Sequence, residues 1–129
     1  MKKIIKSEKL APAVGPYSHA VRTGSLVFTS GQIPIDGEGN VVVGGIVEQT
    51  KQSLRNLGAV LEAGGLGPSD VVKTTVYMTD LSLFGKMNEV YARFFGDDPP
   101  ARSTVGVAGL PKGVLVEIEA VASIPEGKY

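Results

Sequence analysis

The segment from Val114 to Ser123 constrains the fold of this 129-residue chain more than any other. It reads Val-Leu-Val-Glu-Ile-Glu-Ala-Val-Ala-Ser, and a β-strand sends alternate side chains to opposite faces of its sheet. One face would carry Val114, Val116, Ile118, Ala120 and Ala122. The other would carry Leu115, Glu117, Glu119 and Val121, which is too apolar a set for free solvent. We therefore expect helices to cover one face of the sheet and neighbouring subunits to cover the other.

Two helices are predicted from apolar side chains that recur every three or four positions. The first helix carries Ile46, Thr50, Leu54, Leu57 and Leu61. Gly64 and Gly65 should end it, because glycine is favoured just past a helix terminus. The second helix carries Phe84, Met87, Val90, Tyr91 and Phe94, from a cap at Ser82 to Gly96. Each helix therefore has one apolar face that can pack on the sheet.

Further strands are predicted from runs of β-branched and aromatic residues. Such runs occupy residues 71–79 and 25–30. A strand at 20–23 should pair with the latter through a turn at Gly24. Short extra strands could come from residues 2–5 and 41–43.

The last two strands, 102–108 and 114–123, flank a Gly-Leu-Pro-Lys-Gly turn and should form an antiparallel hairpin. The order of elements predicts an α+β fold with two helices on one face of a mainly antiparallel sheet. No linker or repeat divides the chain, so residues 1–129 should form a single domain.

Composition excludes several kinds of protein. Hydrophobic residues make up 43% of the chain and charged residues 20%, which is an ordinary globular balance. Thirteen basic and thirteen acidic residues cancel, so no net charge favours binding to nucleic acid or to an anionic membrane. The absence of cysteine removes disulfides and thiolate metal sites, and His19 is the only histidine. Without an apolar leader or a membrane-spanning stretch, a cytoplasmic location is the expectation.

Glu117 and Arg102 are the first candidates for chemistry. A carboxylate among valines and isoleucines must be paired, hydrogen-bonded or protonated, because its desolvation alone is costly. Glu117 could hold and deprotonate water, or it could form a salt bridge at a subunit interface. Arg102 could bind a substrate carboxylate through two parallel hydrogen bonds, or it could pair with Asp97 or Asp98 on the surface. The residues alone leave both alternatives open.

Other polar residues are weaker candidates. Tyr17 could close a pocket and His19 could be a general acid, although surface packing and a structural role are the commoner cases. Ser30 and Gly31 offer a hydroxyl and a backbone amide near a strand end. Asn88 lies beside the apolar stripe of the second helix, where it could line a site or bind a nearby backbone group.

Several motifs are shared with a known family. They are Gly-Pro-Tyr-Ser-His-Ala, Thr-Ser-Gly-Gln-Ile-Pro, Met-Asn-Glu-Val-Tyr and Pro-Ala-Arg-Ser-Thr-Val, followed by Leu-Pro and Val-Glu-Ile-Glu-Ala. With these motifs the chain resembles the RidA/YjgF family of reactive-intermediate deaminases over essentially its whole length. The resemblance implies a chorismate-mutase-like protomer in a homotrimer, with sites in the clefts between subunits. It also implies hydrolysis of 2-imino acids and their enamine tautomers, such as 2-aminoacrylate and 2-iminobutanoate, to a 2-oxo acid and ammonia, with no cofactor or metal.

The resemblance also implies roles for individual residues. Arg102 matches the arginine that binds the substrate carboxylate, and Glu117 matches the acid that positions the attacking water. The matching pocket-lining positions are Tyr17, Ser30, Gly31, Asn88 and Thr104. Thr104 replaces a cysteine of many members, which removes a thiol switch while keeping a hydrogen-bonding group. His19 replaces a common glutamine, which could alter substrate preference or simply change the packing.

Two other functions remain open. A non-catalytic sensor or regulatory trimer could use the same carboxylate cleft, and the family also carries older descriptions as translation inhibitors with ribonuclease activity. The zero net charge and the lack of a basic stripe argue against a role with nucleic acid. Arg102 would serve an enzyme and a sensor alike, whereas Glu117 is needed chiefly by an enzyme. The presence of both favours the deaminase.

Overall fold

The last strand of the chain lies inside a six-stranded sheet in the computed structural model, which describes residues 1–127. The strands are β1 (Lys3–Ile5), β2 (Ala20–Thr23), β3 (Leu26–Thr29), β4 (Val71–Met78), β5 (Ala101–Gly106) and β6 (Val116–Ser123). Their order across the sheet is β1-β2-β3-β6-β4-β5. Neighbouring strands are antiparallel except for the parallel pair β4 and β5. The sheet is therefore mainly antiparallel, as predicted.

Two helices, α1 (Ile46–Ala63) and α2 (Phe84–Phe95), pack on one face of this sheet. Leu54, Leu57 and Leu61 of α1 and Met87 of α2 are almost completely buried in the same core as the inward side chains of β4 and β6. The predicted alternation of β6 is observed, since Val116, Ile118, Ala120 and Ala122 are all buried. This arrangement confirms the α+β fold with both helices on one face.

The helix termini follow the sequence signals in part. Helix α1 begins after Gly45, whose amide donates to the Glu48 carboxylate at 2.9 Å, and it ends at Ala63 before Gly64, as predicted. The predicted cap at Ser82 is wrong, because Ser82 lies inside a short 3₁₀ turn (Leu81–Leu83) that precedes α2. Asp80 caps that turn instead, and it accepts from both the amide and the hydroxyl of Ser82. Asp80 is a better cap than Ser82 because its charged carboxylate can accept both of these hydrogen bonds.

The predicted hairpin of the last two strands is also wrong. Strand β6 pairs with β3 on one side and β4 on the other, so neither of its edges is free for β5. Strand β5 instead pairs in parallel with the far side of β4 and forms an edge of the sheet. The apolar, alternating β6 gains more from a central position than β5, whose Ala101, Ser103 and Val105 are exposed.

The N-terminal strands match the sequence prediction more closely. Strands β1 and β2 are antiparallel, and β2 and β3 form a hairpin through Gly24, whose φ of 59° suits glycine. No strand is present at 41–43 within the described residues 1–127. Val41 forms only an isolated bridge with Ile35, and Val43 is 96% exposed. An edge segment without apolar cover gains too little from pairing to extend the sheet.

The face of the sheet opposite the helices is open in the single chain. Phe28 of β3 and Val105 of β5 are exposed there. Glu117 and Glu119 project from β6, which lies between β3 and the strand β4 that carries Tyr77. The Tyr77 hydroxyl donates to Glu119 at 3.2 Å. No helix within residues 1–127 combines the length and apolarity needed to cross a membrane.

Candidate functional site

Arg102 lies on β5 and contacts the aromatic rings of helix α2. Its register partner on β4 is the buried Thr74, so its side chain lies on the helix-covered face of the sheet. The guanidinium carbon is 4.7 Å from the centroid of the Tyr91 ring and 5.4 Å from that of Phe84. Such stacking orients a planar cation without neutralising it.

The charge of Arg102 is available to a ligand. Within residues 1–127 Arg102 forms no ion pair, so the alternative of a salt bridge with Asp97 or Asp98 is not observed. The residues that line the adjacent cavity are Phe84, Asn88, Tyr91, Ala92, Gly96, Pro99, Pro100 and Arg102. An oriented, unpaired guanidinium in a concave site is suited to binding a carboxylate.

Two further polar groups near Arg102 lack partners. Asn88 follows Phe84 by one helical turn and lines the same cavity, and its Oδ1 is buried without a hydrogen bond within residues 1–127. Thr104 lies two residues after Arg102, on the same face of β5, and its buried Oγ1 is equally unsatisfied in this part of the chain. Buried polar atoms without partners are costly in a closed structure and are typical of sites completed by another molecule.

Glu117 lies on β6 and projects from the open face of the sheet. Burial raises the pKa of its carboxyl group, and the neighbouring Glu119 raises that pKa further. A carboxyl group whose pKa is raised toward neutrality can both accept and return a proton. The Tyr77 hydroxyl donates its hydrogen bond to Glu119, so it does not donate to Glu117.

The segment 30–32 is held directly against Glu117. The Gln32 amide donates to Ile118 O at 2.8 Å, and the Ile118 amide donates to Gln32 O at 3.1 Å. A Cβ atom on Gly31 would overlap with the Glu117 carboxylate, so any larger residue there would displace this carboxylate from its position. The cavity beside the carboxylate is lined by Val14, Tyr17, Ser30, Gly31, Ile33, Pro111 and Glu117.

Tyr17 and Ser30 line this cavity from two connected segments. The Ser30 amide donates to His19 O at 2.9 Å, and the Ser30 hydroxyl donates to Ser18 O. These bonds fix the chain next to Tyr17, whose side chain is 49% exposed. The Ser30 hydroxyl is therefore used in positioning the Tyr17 segment.

The candidate residues thus form two groups, which we call the arginine half-site (Arg102, Asn88 and Thr104) and the glutamate half-site (Glu117, Tyr17, Ser30 and Gly31). Arg102 and Asn88 line one cavity, and the residues of the glutamate half-site line another. They also lie on opposite faces of the sheet, with β4 between the strands that carry Arg102 and Glu117. Arg102 and Glu117 therefore do not pair with each other within the chain.

Two polar residues of α1 support the loops around the glutamate half-site. Asn56 Nδ2 donates to Ile33 O at 3.0 Å and to Ile35 O at 2.9 Å, which fixes the loop after Gly31. Gln49 Oε1 accepts from the Leu115 amide at 2.7 Å at the start of β6. Both glutamine and asparagine are buried, so these bonds are protected from solvent.

His19 does not contribute a catalytic proton donor here. It is buried, its Nδ1 accepts from the Ser7 amide, and its Nε2 donates to Ala11 O. Both ring nitrogens are therefore occupied by the backbone, as the structural alternative predicted. Within residues 1–127 no cluster of three or more histidine, aspartate or glutamate side chains could hold a metal ion.

Comparison with known proteins identifies the chain. A family model described as Endoribonuclease L-PSP matches residues 8–124. The chain belongs to this family, the RidA/YjgF family. Among RidA/YjgF proteins, a RutC family protein of Pyrococcus horikoshii is 51% identical over 123 residues, covering 95% of this chain and 98% of that protein. The 2-iminobutanoate/2-iminopropanoate deaminase of Mus musculus is 46% identical over 123 residues, covering 95% of this chain and 91% of that one.

Solved RidA/YjgF structures share the fold. TdcF of E. coli, crystallised with bound serine, superposes with a TM-score of 0.91 at 44% identity, covering 95% of this chain and 99% of that chain. The mixed sheet with two helices on one face is thus the fold of the RidA/YjgF family.

Sequence reasoning missed the two aromatic rings that hold Arg102. Phe84 and Tyr91 were placed in the apolar stripe of the second helix, as core residues. The available signal was the spacing of Phe84, Asn88 and Tyr91, which places one polar residue on the same helix face as two aromatic ones. In this RidA/YjgF chain that face meets Arg102, while Tyr91 also lies in the buried core, as predicted.

Proposed function

We propose that the chain is a hydrolytic deaminase that converts 2-imino acids and their enamine tautomers into 2-oxo acids and ammonia. The observation that carries the proposal is Arg102, an oriented guanidinium without an ion-pair partner within residues 1–127, in a cavity that also holds an unsatisfied amide oxygen. The name of the mouse relative supports the same substrates, 2-iminobutanoate and 2-iminopropanoate. The serine bound to TdcF supports a small carboxylate ligand.

Arg102 binds the substrate carboxylate in this proposal. Two parallel hydrogen bonds from the guanidinium fix both the position and the plane of the carboxylate, and so orient the adjacent C2 atom. Asn88 lines the same pocket, and its Oδ1 accepts from the imine nitrogen. Thr104, on the same face of β5 as Arg102, contacts the carboxylate through its Oγ1.

Glu117 positions and deprotonates the attacking water. The water oxygen bonds to C2 of the protonated imine while Glu117 takes one proton, which gives a carbinolamine. Glu117 then returns this proton to nitrogen, and the C–N bond breaks with its electron pair on the departing ammonia. The carbinol hydroxyl gives its proton to the Glu117 carboxylate as the C2 carbonyl forms, and this proton passes to the ammonia. The products are a 2-oxo acid and ammonium, and the sum is substrate plus one water. Tyr17, Ser30 and Gly31 shape the pocket around Glu117, and neither a metal nor a cofactor takes part.

The assembly in the proposal is a homotrimer with sites between subunits. Arg102 and Glu117 lie on opposite faces of one chain, so one small substrate cannot contact both within that chain. Pairing the arginine half-site of one subunit with the glutamate half-site of the next would bring them together. The exposed apolar residues of the open face, including Phe28 and Val105, support burial against other copies. A cytoplasmic location remains a prediction.

The test is ammonia release from 2-aminoacrylate that a dehydratase generates in the assay. We expect wild-type protein to accelerate release, and Arg102→Ala to lower kcat/KM by roughly 100-fold or more. Arg102→Lys, which keeps the charge but loses the planar fork, should recover only part of this loss. Glu117→Gln should lower kcat strongly, because it removes the proton acceptor and leaves carboxylate binding intact. Full activity in Arg102→Ala and Glu117→Gln would refute the mechanism.

The family description names an endoribonuclease, so RNA cleavage is the second activity to measure. The zero net charge of the chain gives no electrostatic attraction for RNA, so we expect none above background. Cleavage that persists through purification and disappears in Arg102→Ala would favour the ribonuclease. A wild-type protein that binds 2-oxo acids but releases no ammonia would favour the sensor.

A further inference from the structure

The segment that precedes Tyr17 is attached to the protein by hydrogen bonds to the ring of His19 and by the packing of Leu10 against the core. The Ser7 amide donates to Nδ1 at 3.1 Å, and Nε2 lies 3.1 Å from Ala11 O. The His19 ring is 7% exposed, so these contacts are shielded from water. Within residues 1–127 the other side-chain bond from this segment to the rest of the protein is the exposed Lys9–Glu62 ion pair, which contributes little.

The partners of the ring determine its protonation state. A backbone amide nitrogen only donates, so Nδ1 must be the unprotonated nitrogen that accepts from Ser7. A carbonyl oxygen only accepts, so Nε2 carries the proton and donates to Ala11. We call these two contacts, from the Ser7 amide to Nδ1 and from Nε2 to Ala11 O, the clamp. The clamp requires neutral His19 in one tautomer. A second proton on Nδ1 would face the Ser7 amide and break the bond.

The clamped segment forms one wall of the glutamate half-site. Residues 7–11 lead directly into Val14 and Tyr17, which line the cavity beside Gly31 and Glu117. The backbone of His19 is held as well, since its carbonyl accepts from the Ser30 amide. The ring and the backbone of one residue thus fix both ends of the segment that carries Val14 and Tyr17.

We propose that His19 is a positioning residue for the glutamate half-site, which it holds in shape only while its ring is neutral. The proposal deepens the proposed deaminase function, on which its kinetic part rests. Protonation of His19 releases the Ser7–Ala11 segment, and Val14 and Tyr17 lose their fixed positions against Glu117. The half-site therefore loosens when the ring binds a second proton.

The charged side chains that line the cavities around the ring belong to lysines. Lys6, Lys112 and Tyr17 line the two cavities that His19 also lines, and neither cavity contains a carboxylate among the described residues. The segment itself carries Glu8 and Lys9, which are both exposed, and Lys9 is paired with Glu62 of α1. A charged ring would thus gain no carboxylate partner in place of the amide bond that it loses.

The matched control is His19→Gln. Glutamine offers one acceptor and one donor on a side chain of similar reach, but it does not titrate. His19→Ala removes both contacts. The Ser7 amide reports the clamp directly, because its hydrogen exchange is slow only while it donates to residue 19.

We would measure Ser7 amide exchange, and the NMR shift of the Gly31 amide, in wild type and in both variants. At about pH 7.5, the Ser7 amide should exchange about tenfold faster in His19→Ala than in wild type, and the NMR signal of the Gly31 amide should move. Both measurements in His19→Gln should match wild type. At about pH 5.5, wild type should exchange at least about tenfold faster than His19→Gln. Equal exchange in wild type and His19→Gln at both pH values would overturn the proposal. This comparison does not depend on His19→Ala being soluble.

The kinetic readout is kcat/KM for 2-aminoacrylate. His19→Ala should lower it by roughly tenfold and His19→Gln should restore it, with the wild-type value falling relative to His19→Gln as pH decreases. Unchanged kinetics and an unchanged Gly31 shift in His19→Ala would show that the clamp does not position the site. If wild-type protein proves not to be a deaminase, the exchange and shift data still decide whether His19 shapes this half-site, so the two failures are distinguishable.

Discussion

Glu117 shows how a single side chain acquires unusual chemistry from its surroundings. Burial against segment 30–32 raises its pKa first, and the negative charge of Glu119 two residues along the strand raises it further. The proposed reaction needs the deprotonated carboxylate. As the pH is lowered, activity should therefore begin to fall at a higher pH than it would with a glutamate of ordinary pKa.

Glu119→Gln should move this acid limit to lower pH. The variant removes the repulsion that favours the protonated form of Glu117, so the pKa of Glu117 falls and the carboxylate persists into more acidic solution. The pH dependence of kcat/KM in the His19→Gln background measures the effect without interference from the clamp. Tyr77→Phe is the control, since it removes the hydrogen bond to Glu119 and keeps the charge. An acid limit that is unchanged or higher in Glu119→Gln would contradict the assignment of Glu117 as the base.

At the residue scale, the sequence singled out the right kinds of side chain but not their surroundings. Glu117 stood out because a carboxylate in an apolar strand needs a partner, and Arg102 because its guanidinium is suited to binding a carboxylate. The rings of Phe84 and Tyr91 that orient Arg102, and the backbone of Gly31 that closes on Glu117, come from distant segments. Such contacts depend on how strands and helices meet in space, and no local pattern encodes them.

At the scale of elements, helix α1 supports the glutamate half-site through its buried polar side chains. Asn56 donates both hydrogens of its amide to carbonyl groups of the loop after Gly31, and its own oxygen accepts from Gln52 at 2.8 Å. The helix therefore positions a loop as well as covering the sheet.

Asn56→Asp should destabilise the protein more than Asn56→Ala. The aspartate carboxylate would face the Ile33 and Ile35 carbonyl oxygens and leave its own charge without a donor from them. We expect a loss of about 2–4 kcal/mol in the free energy of unfolding, against about 1–3 kcal/mol for alanine, which only removes the hydrogen bonds. Urea denaturation at neutral pH measures both. Equal stability of Asn56→Asp and wild type would show that this buried contact is not formed.

The elements also show where prediction from local patterns stops. The bounds of α1, β4 and the β2–β3 hairpin followed from periodicity and glycine positions. The pairing of β5 did not, because proximity in sequence favours a hairpin with β6, whereas the sheet places β6 centrally between β3 and β4. Which strand lies in the centre depends on the competition of all strands for apolar cover.

At the scale of the whole molecule, the two half-sites predict that subunits complement one another. Arg102→Ala and Glu117→Gln inactivate different halves, so a trimer that contains both variants should have intact sites where an unaltered Arg102 meets an unaltered Glu117. Each trimer that contains both variants should have one such intact site, so the purified mixed trimers should recover about a third of the wild-type activity.

Co-expression with two different affinity tags, followed by tandem purification and the ammonia assay, measures this restoration. Size-exclusion chromatography with light scattering should give three times the chain mass of 13.5 kDa. Arg102→Ala mixed with the double variant is the control, and it should remain inactive because no chain retains Arg102. Inactive mixed trimers of the two single variants would show that each site lies within one chain.

The sequence by itself determined the class of fold, the two helices, the alternation of β6 and the side chains that are out of place in an apolar strand. These properties follow from local periodicity and from the cost of burying charge, which any segment carries with it. Only the tertiary structure decided that β5 crosses to the far side of β4, and hence that Arg102 and Glu117 lie on opposite faces of the sheet. Strand order is set by long-range packing, so the separation of the two half-sites is a property of the folded sheet as a whole.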